Sequence, residues 1–487
     1  MSQVMHEKLV KDAKLFIDGK YVDTASGSTF DSYNPATNEK LASVANGGEE
    51  DARYAIDVAQ RTFASGVWSN MTVEDRSLIL CRISDLILER VEEIAYVETL
   101  DVGKPINESI GFDIPRAASN FRFFAEMIKF WTHENFPNKH VMSYSEYAPA
   151  GVTSLIIPWN LPFMQLTWKA SAALAAGNTV VVKPASYTPL SALMLGDIAN
   201  EAGLPPGVLN IITGPGSTLG TAMVTHPFVR RVSFVGESST GKTVMKNAAE
   251  NLIPVSLELG GKSANIVFED ADLDEAVEGS IDAIYRNQGE ICLAGSRLLV
   301  QESIYDKFLE KFVNRVKKIK VGDPLDKKTD MGALVAESHL ETVDDYVKIG
   351  LAEGAKLAYG GKRVEGLEKG NFYEPTVLYD VDNKMRVAQE EIFGPVLVVI
   401  PFKDEEEAVK IANDSPYGLA GVVWTNNLRR AQRVTTGINS GLLWVNCWYI
   451  RDLRTPFGGS KASGIGREGG RHSFEFYSEP KTITMKL

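Results

Sequence analysis

From Gly151 the chain reads GVTSLIIPWNLPFMQLTWKASAALAAGNTVVVK, closing at Lys183. A β-branched apolar run (GVTSLII) gives way after Pro158 to a stretch of helical composition (MQLTWKASAALAAG), and this to a second β-rich run (NTVVVK). Two such changes of rhythm within about 30 residues mark a strand, a crossover helix and a second strand running the same way. The alternation continues through PLSALMLGDIANEAG, GVLNIIT, RRVSFV and TGKTVMKNAAEN to about Ser263. Strands covered by helices on both faces have no solvent side, so their apolar runs are nearly continuous. The fold class predicted is α/β, a Rossmann-like unit on a parallel sheet.

Upstream, Asp18 and Gly19 sit between two short apolar-alternating runs in KLFIDGKYVDT, a hairpin signal. A long helical tract is expected from about Glu49 to Val102. In the helix that follows Lys183, Thr188 is placed to cap, Pro189 to occupy the first turn and Gly203 to stop it. Downstream, SANIVFED, SRLLVQ, IYDKFLEKFVNRVKKI and GPVLVVIPF alternate again and predict a second α/β domain. The polar, extended segment near residues 132–150 and the β-prone tail KTITMKL suit an arm lying outside the domain cores.

The 487 residues are 44% hydrophobic and 23% charged, an ordinary globular balance, and the formal charge of -12 argues against nucleic acid or anionic lipid as partner. Apolar stretches are broken by Gly, Asn or Pro well before about 20 residues, so no membrane span is expected. MSQVMHEKLVKDAKLF mixes acids and bases and does not read as a secretory leader. The three cysteines, Cys81, Cys292 and Cys447, lack CxxC or His-rich spacing, which supports neither a disulfide framework nor a metal site. The expected location is cytoplasmic.

Cys81, on an apolar helix face, and Cys447, in LLWVNCW, read as small buried hydrophobes. Cys292 differs: it stands in NQGEICLAGSR between Gly289 and Gly295, in a loop between a helical run and a strand, where backbone can approach a ligand. Four further strings accompany GEICLAGSR (Gly289–Arg297): IIPWNLPF (Ile156–Phe163), LELGGKSA (Leu257–Ala264), EEIFGPV (Glu390–Val396) and PFGGSKASGIGREGG. Together, in this order and spacing, they resemble the aldehyde dehydrogenase superfamily over essentially the whole chain.

The resemblance implies an NAD(P)-dependent oxidation of an aldehyde to an acid through a thioester on Cys292. Asn160 and the Cys292 N–H would meet the oxyanion, although Asn160 also reads as a turn residue between Trp159 and Pro162. Glu258 would be the base for water. Glu468, in GREGG, is a second family carboxylate that either supports Glu258 or holds its loop. For the cofactor the family match names Ile156, Trp159, Lys183, Ser186, Gly216, Phe234, Gly236, Glu237, Leu259, Glu391 and Phe393. GESSTGKT also fits the P-loop spacing, a competing reading that the family context disfavours. Glu237 replaces a serine that touches phosphate in many relatives. Ser186 stands where NAD-preferring relatives often carry glutamate, so NADP is expected to be tolerated or preferred.

FDIPRAASNFRFFAE (Phe112–Glu126) and NCWYIRDLRTPFGG (Asn446–Gly459) resemble the subgroup acting on muconate semialdehydes, with Arg116 and Arg454 as the matching arginines and Arg122 or Arg451 as alternatives. Phe163, Trp168 and Trp448 complete the expected substrate set. A broad-specificity aldehyde dehydrogenase, a coenzyme A-acylating relative and a silent binding protein on this scaffold are the other readings. The domains implied are an NAD(P)-binding domain over 1–131 and 152–259, a catalytic domain over 260–441, an oligomerisation arm from 132–151 and 470–487, and a segment 442–469 that returns to the cofactor domain and lines the substrate mouth. A homodimer or homotetramer is expected.

Overall fold

The computed structural model describes residues 9–487; residues 1–8, the head of the segment read for a leader, lie outside the described residues. Five parallel strands lie in the order Leu209–Ile211, Thr179–Lys183, Val152–Ile156, Val229–Val235, Val255–Glu258. Val152–Ile156 and Thr179–Lys183 are buried at every residue. Alternate side chains serve opposite layers: Val180 and Val182 pack with the helix Pro162–Ala175, whereas Val181 packs with Glu49–Ser65. Antiparallel strands close both edges. On one side Leu15–Ile17 and Lys20–Val22 form the expected hairpin, with Asp18 (φ 55°) and Gly19 (φ 71°) making the turn. On the other, Gly464–Ile465 pairs with Leu257 and Glu258.

The order of these strands creates a crevice. The chain adds Thr179–Lys183 and Leu209–Ile211 on one side of Val152–Ile156, then crosses to place Val229–Val235 and Val255–Glu258 on the other. Loops leaving the carboxyl ends of Val152–Ile156 and Val229–Val235 therefore diverge to opposite faces, which opens a cleft between them.

A second sheet runs Lys356–Tyr359, Thr376–Tyr379, Val396–Phe402, Arg297–Gln301, Ala264–Val267, Ala420–Trp424, Leu442–Val445, parallel except at its first strand. Leu442–Val445, placed by sequence in the returning segment 442–469, stays in this sheet; the chain rejoins the first sheet only at Gly464–Ile465. A third, antiparallel sheet joins Asn135–Asn138, Val141–Pro149 and Ser478–Lys486.

Two local expectations change. The helical tract is three helices, Glu49–Ser65, Val73–Glu89 and Val91–Val102, because Gly66 turns left-handed (φ 75°) and Thr72 caps a new start by accepting the Asp75 N–H at 3.1 Å. Thr188 does not cap Leu190–Glu201; its hydroxyl donates to the Trp159 carbonyl at 3.0 Å, tying the two loops at the crevice together. Among the described residues no helix is long and apolar enough to cross a membrane.

Candidate active site

Ile156, Lys183 and Glu258 are the last residues of their strands, and Gly236 follows Val229–Val235, so the first sheet delivers them all at its carboxyl edge. Gly260, Cys292, Glu391 and Phe393 precede strands of the second sheet and emerge at its amino edge. The two edges share one cavity of about 850 Å³, which all of these residues line.

Cys292 follows an unusual stretch of backbone. The helix Leu273–Tyr285, capped by Asp272, ends at Arg286, and Asn287 (φ 48°), Gln288 (φ 55°) and Gly289 (φ 76°) are all left-handed. Left-handed residues other than glycine cost about 1–2 kcal/mol each, so neighbours must hold them. Both oxygens of Glu108 accept the Asn287 N–H at 3.2 Å, and Asn287 Nδ2 donates to the carbonyls of Asn160 (3.1 Å) and Glu290 (3.2 Å). Asn160 Nδ2 in turn donates to the Glu290 carbonyl at 2.8 Å. A side chain on Gly261 would meet the Cys292 carbonyl at 2.6 Å, so the paired glycines of LELGGKSA are what let the loop approach. Burial, with Glu258 and Glu391 adding negative charge, pushes the Cys292 thiol up to about 12.

Glu258 is buried, and neither of its carboxylate oxygens has a hydrogen-bond donor among the described residues. Burial, then the charge of Glu468, raises it to about 8, against the pull of Lys169, Arg451 and Arg467. Glu468 lies behind the cavity rather than in its wall. It pairs with the buried ammonium of Lys169 and accepts from Trp168 Nε1 (2.7 Å) and Ser256 Oγ (3.2 Å), so it can act on the site only through Glu258 and Trp168.

Every residue named by sequence for the cofactor, from Ile156 and Trp159 through Gly216, Phe234 and Leu259 to Phe393, lines the same cavity as Cys292, Asn160 and Glu258. Lys183 is buried with only the Pro184 carbonyl (3.0 Å) as partner, and burial lowers it to about 8. Ser186 is exposed at the far end and donates to the Gly214 carbonyl at 3.1 Å. The helix Ser238–Ala249 begins at the cavity beside Gly236, Glu237 and Thr240. Lys242, which a P-loop would aim at phosphate, is exposed and absent from this wall. An ammonium with unused donors, glycine backbone and a helix start suit the hydroxyls and phosphates of a dinucleotide. Sequence reasoning missed Thr240, His339, Tyr346 and Tyr417 here; His339 Nε2 donates to the Phe393 carbonyl at 2.8 Å and packs edge-on against Trp159. No sequence signal marks them.

A second cavity of about 260 Å³ adjoins the first through Gln165, which lines both. Its wall holds Arg116, Arg286, Arg451, Phe112, Trp168, Trp448 and Tyr449 and, among the described residues, no carboxylate. Arg451 is sandwiched between Trp168 (4.1 Å to the ring centre) and Phe457 (3.9 Å), with buried Nε and Nη2 lacking partners. Arg116 Nη2 is also buried without a partner. Like charge is one reason the guanidinium of Arg451 is lowered to about 10, after burial itself.

Two substrate residues named by sequence are corrected. Arg454 is 79% exposed and locked onto Asp452 through Nε (3.0 Å) and Nη2 (2.6 Å), so it faces solvent; Arg451 takes the pocket. Phe163 is wholly buried in the core beneath the site, where its N–H donates to Glu98 at 3.1 Å, and lines neither cavity. Arg122 pairs with Asp85 away from both. Trp168 and Trp448 do line the pocket.

The sequence model described as "Aldehyde dehydrogenase family" matches residues 21–483. Among curated proteins, the chain is 45% identical over 482 residues to 2-aminomuconic semialdehyde dehydrogenase of Homo sapiens, covering 97% of each. It is also 45% identical over 470 residues to 5-carboxymethyl-2-hydroxymuconate semialdehyde dehydrogenase of Escherichia coli, covering 95% of this chain and 99% of the relative. Among solved structures, an indole-3-acetaldehyde dehydrogenase in complex with NAD+ superposes with a TM-score of 0.98 at 43% identity, covering 100% of this chain and 99% of that one.

Proposed function

The chain belongs to the aldehyde dehydrogenase family, and from that premise we propose that it oxidises a semialdehyde whose far end carries a carboxylate, with Cys292 as nucleophile and Glu258 as base. That it is an NAD(P)-dependent enzyme converting aldehydes to carboxylic acids follows from the family and its named relatives. The observation that carries the substrate class is the adjoining cavity, where arginines meet no carboxylate. Arg116 and Arg451 keep buried N–H groups without acceptors, a costly arrangement unless a ligand satisfies them.

The chemistry assigns one task to each group. Cys292 Sγ adds to the aldehyde carbon while its proton passes to the Glu258 carboxylate; sulfur is nucleophilic enough to make the small thiolate fraction effective. The developing oxyanion accepts from the Cys292 N–H and from the second N–H of the Asn160 amide, whose first is engaged by the Glu290 carbonyl. Lys183, the Gly236 turn and Glu391 would hold a nicotinamide dinucleotide, which would supply the two-electron oxidation of the Cys292 adduct to a thioester. Once Glu258 has passed the thiol proton to solvent, it takes a proton from water as that water attacks the thioester carbon; the C–S bond breaks and the proton goes to the departing sulfur, restoring the thiol. A reducing cytoplasm suits the three free thiols. The three-stranded sheet supplies a surface for a homodimer or homotetramer.

Arg451→Met is expected to raise KM for a carboxylate-bearing semialdehyde by about 10- to 100-fold and to leave an uncharged aldehyde of equal length nearly unchanged, while Arg454→Met changes neither by more than about twofold. Steady-state kinetics on both aldehydes checks this. A wild-type enzyme indifferent to the carboxylate would overturn the substrate class.

A further inference from the structure

Arg286 is not needed to grip a single carboxylate, yet it lines the same small cavity as Arg116 and Arg451. Its guanidinium lies 4.5 Å from the Phe112 ring centre and 5.5 Å from that of Tyr449. Two aromatic rings take the apolar surface of the guanidinium and fix its plane; stacking of this kind leaves the edge N–H groups free to bind a planar anion. Glu108 acts on it through space, but its two oxygens are turned to the Asn287 N–H and it forms no ion pair with Arg286 among the described residues. Burial also raises the Glu108 carboxyl to about 7, which weakens it as a counter-ion.

The cavity therefore presents three guanidinium groups and no carboxylate in its wall. One carboxylate answers the unpartnered donors of Arg116 and Arg451, and Arg286, which forms no ion pair among the described residues, remains for a second anion. Resting on the substrate class proposed above, we infer that Arg286 forms a second anion subsite, so that the preferred substrate is a semialdehyde carrying two carboxylates, one held by the Arg116 and Arg451 pair and the other by Arg286. Arg286 also heads the left-handed run that leads to Cys292. Its anion is thus bound at the base of the nucleophile's own loop.

The test compares hexanal, 6-oxohexanoate and 3-(carboxymethyl)-6-oxohexanoate, which carry zero, one and two carboxylates beyond the same aldehyde chain. With NAD present, Arg286→Met should lower kcat/KM for the dianion by about thirtyfold, the loss of one charge-assisted pair, while the monoanion falls by less than about threefold. Hexanal turnover by the same variant is the reference for the loop and fold, and the losses on the two anions are read relative to it. Arg286→Lys should recover part of the loss, because it keeps the charge without the planar fork. An equal loss on all three aldehydes would mean that Arg286 only shapes the loop, and a dianion insensitive to Arg286→Met would remove the subsite; either overturns the inference while leaving a monoanion preference in the wild type, and with it the earlier reading, untouched.

Discussion

A carboxylate with two buried oxygens and no donor is an unstable ornament unless water is meant to sit there, and Glu258 is such a group. It is a base only when ionised, so with its carboxyl raised to about 8 the thioester-hydrolysis rate should climb as pH rises through that value and level off above it. The stability consequence has the opposite sign. From about 4.5 to about 8 the folded chain holds a proton on Glu258 that the unfolded chain has lost, so this residue lowers stability progressively as pH rises across that window. Glu258→Gln is expected to cut kcat by about 10²- to 10⁴-fold while raising Tm at pH 8, measured by stopped-flow turnover and thermal melting. A variant with lowered Tm would contradict the burial argument. At this scale much was legible: Cys292, Glu258 and Asn160 were named from their strings, and all three line one cavity. The family resemblance points to Arg454 where the structure turns Arg451 inward, because an irregular segment carries no periodicity to say which of two arginines three residues apart faces the pocket. Asn446 and Tyr449 there are left-handed, so neither a helical nor a strand rhythm applies.

The element that matters most is the loop from Arg286 to Gly289. Its conformation is held from outside by Glu108, which accepts the Asn287 N–H, and by the Asn160 carbonyl, which accepts from the Asn287 amide and is fixed by it in turn. Gly289 is left-handed, and a side chain there would run into the Gly394 carbonyl. Gly289→Ala is therefore expected to destabilise the protein by about 2 kcal/mol or more and to lower kcat at least tenfold, because strain and a backbone clash add. Melting curves and turnover on folded material check this, and near-normal kcat would show that the loop tolerates a different path. Sequence placed Cys292 in a loop bounded by glycines. It could not show two further left-handed residues, since Asn287 and Gln288 adopt that backbone for partners that are far away in the chain. The break in the long helical tract, by contrast, had its signals in Gly66 and Thr72.

At the scale of the molecule, the cleft is a meeting of edges: carboxyl ends of one sheet and amino ends of the other. The α/β alternation was legible because each unit is local. Strand order was not, since Gly464–Ile465 returns to Val255–Glu258 across the whole second sheet. The far end of the cleft bears on cofactor choice. Ser186 leaves no carboxylate at its own position to repel a 2'-phosphate, and Lys183 supplies positive charge nearby. NADP should accordingly support turnover with kcat/KM within about tenfold of NAD, and Ser186→Glu should depress the NADP value selectively. Negligible NADP activity in the wild type would sink this expectation. The late pairing of Gly464–Ile465 also has a meaning for synthesis. A ribosome that has released Cys292, Glu258 and every residue of the cofactor wall still holds back the strand that seals the first sheet and the Glu468 that answers Lys169. Domains fold as they emerge, so the growing chain assembles both sheets first, with Lys169 an unanswered charge within them. A chain cut before Gly464 is accordingly expected to hold the nucleophile beside an open sheet edge and an unanswered lysine.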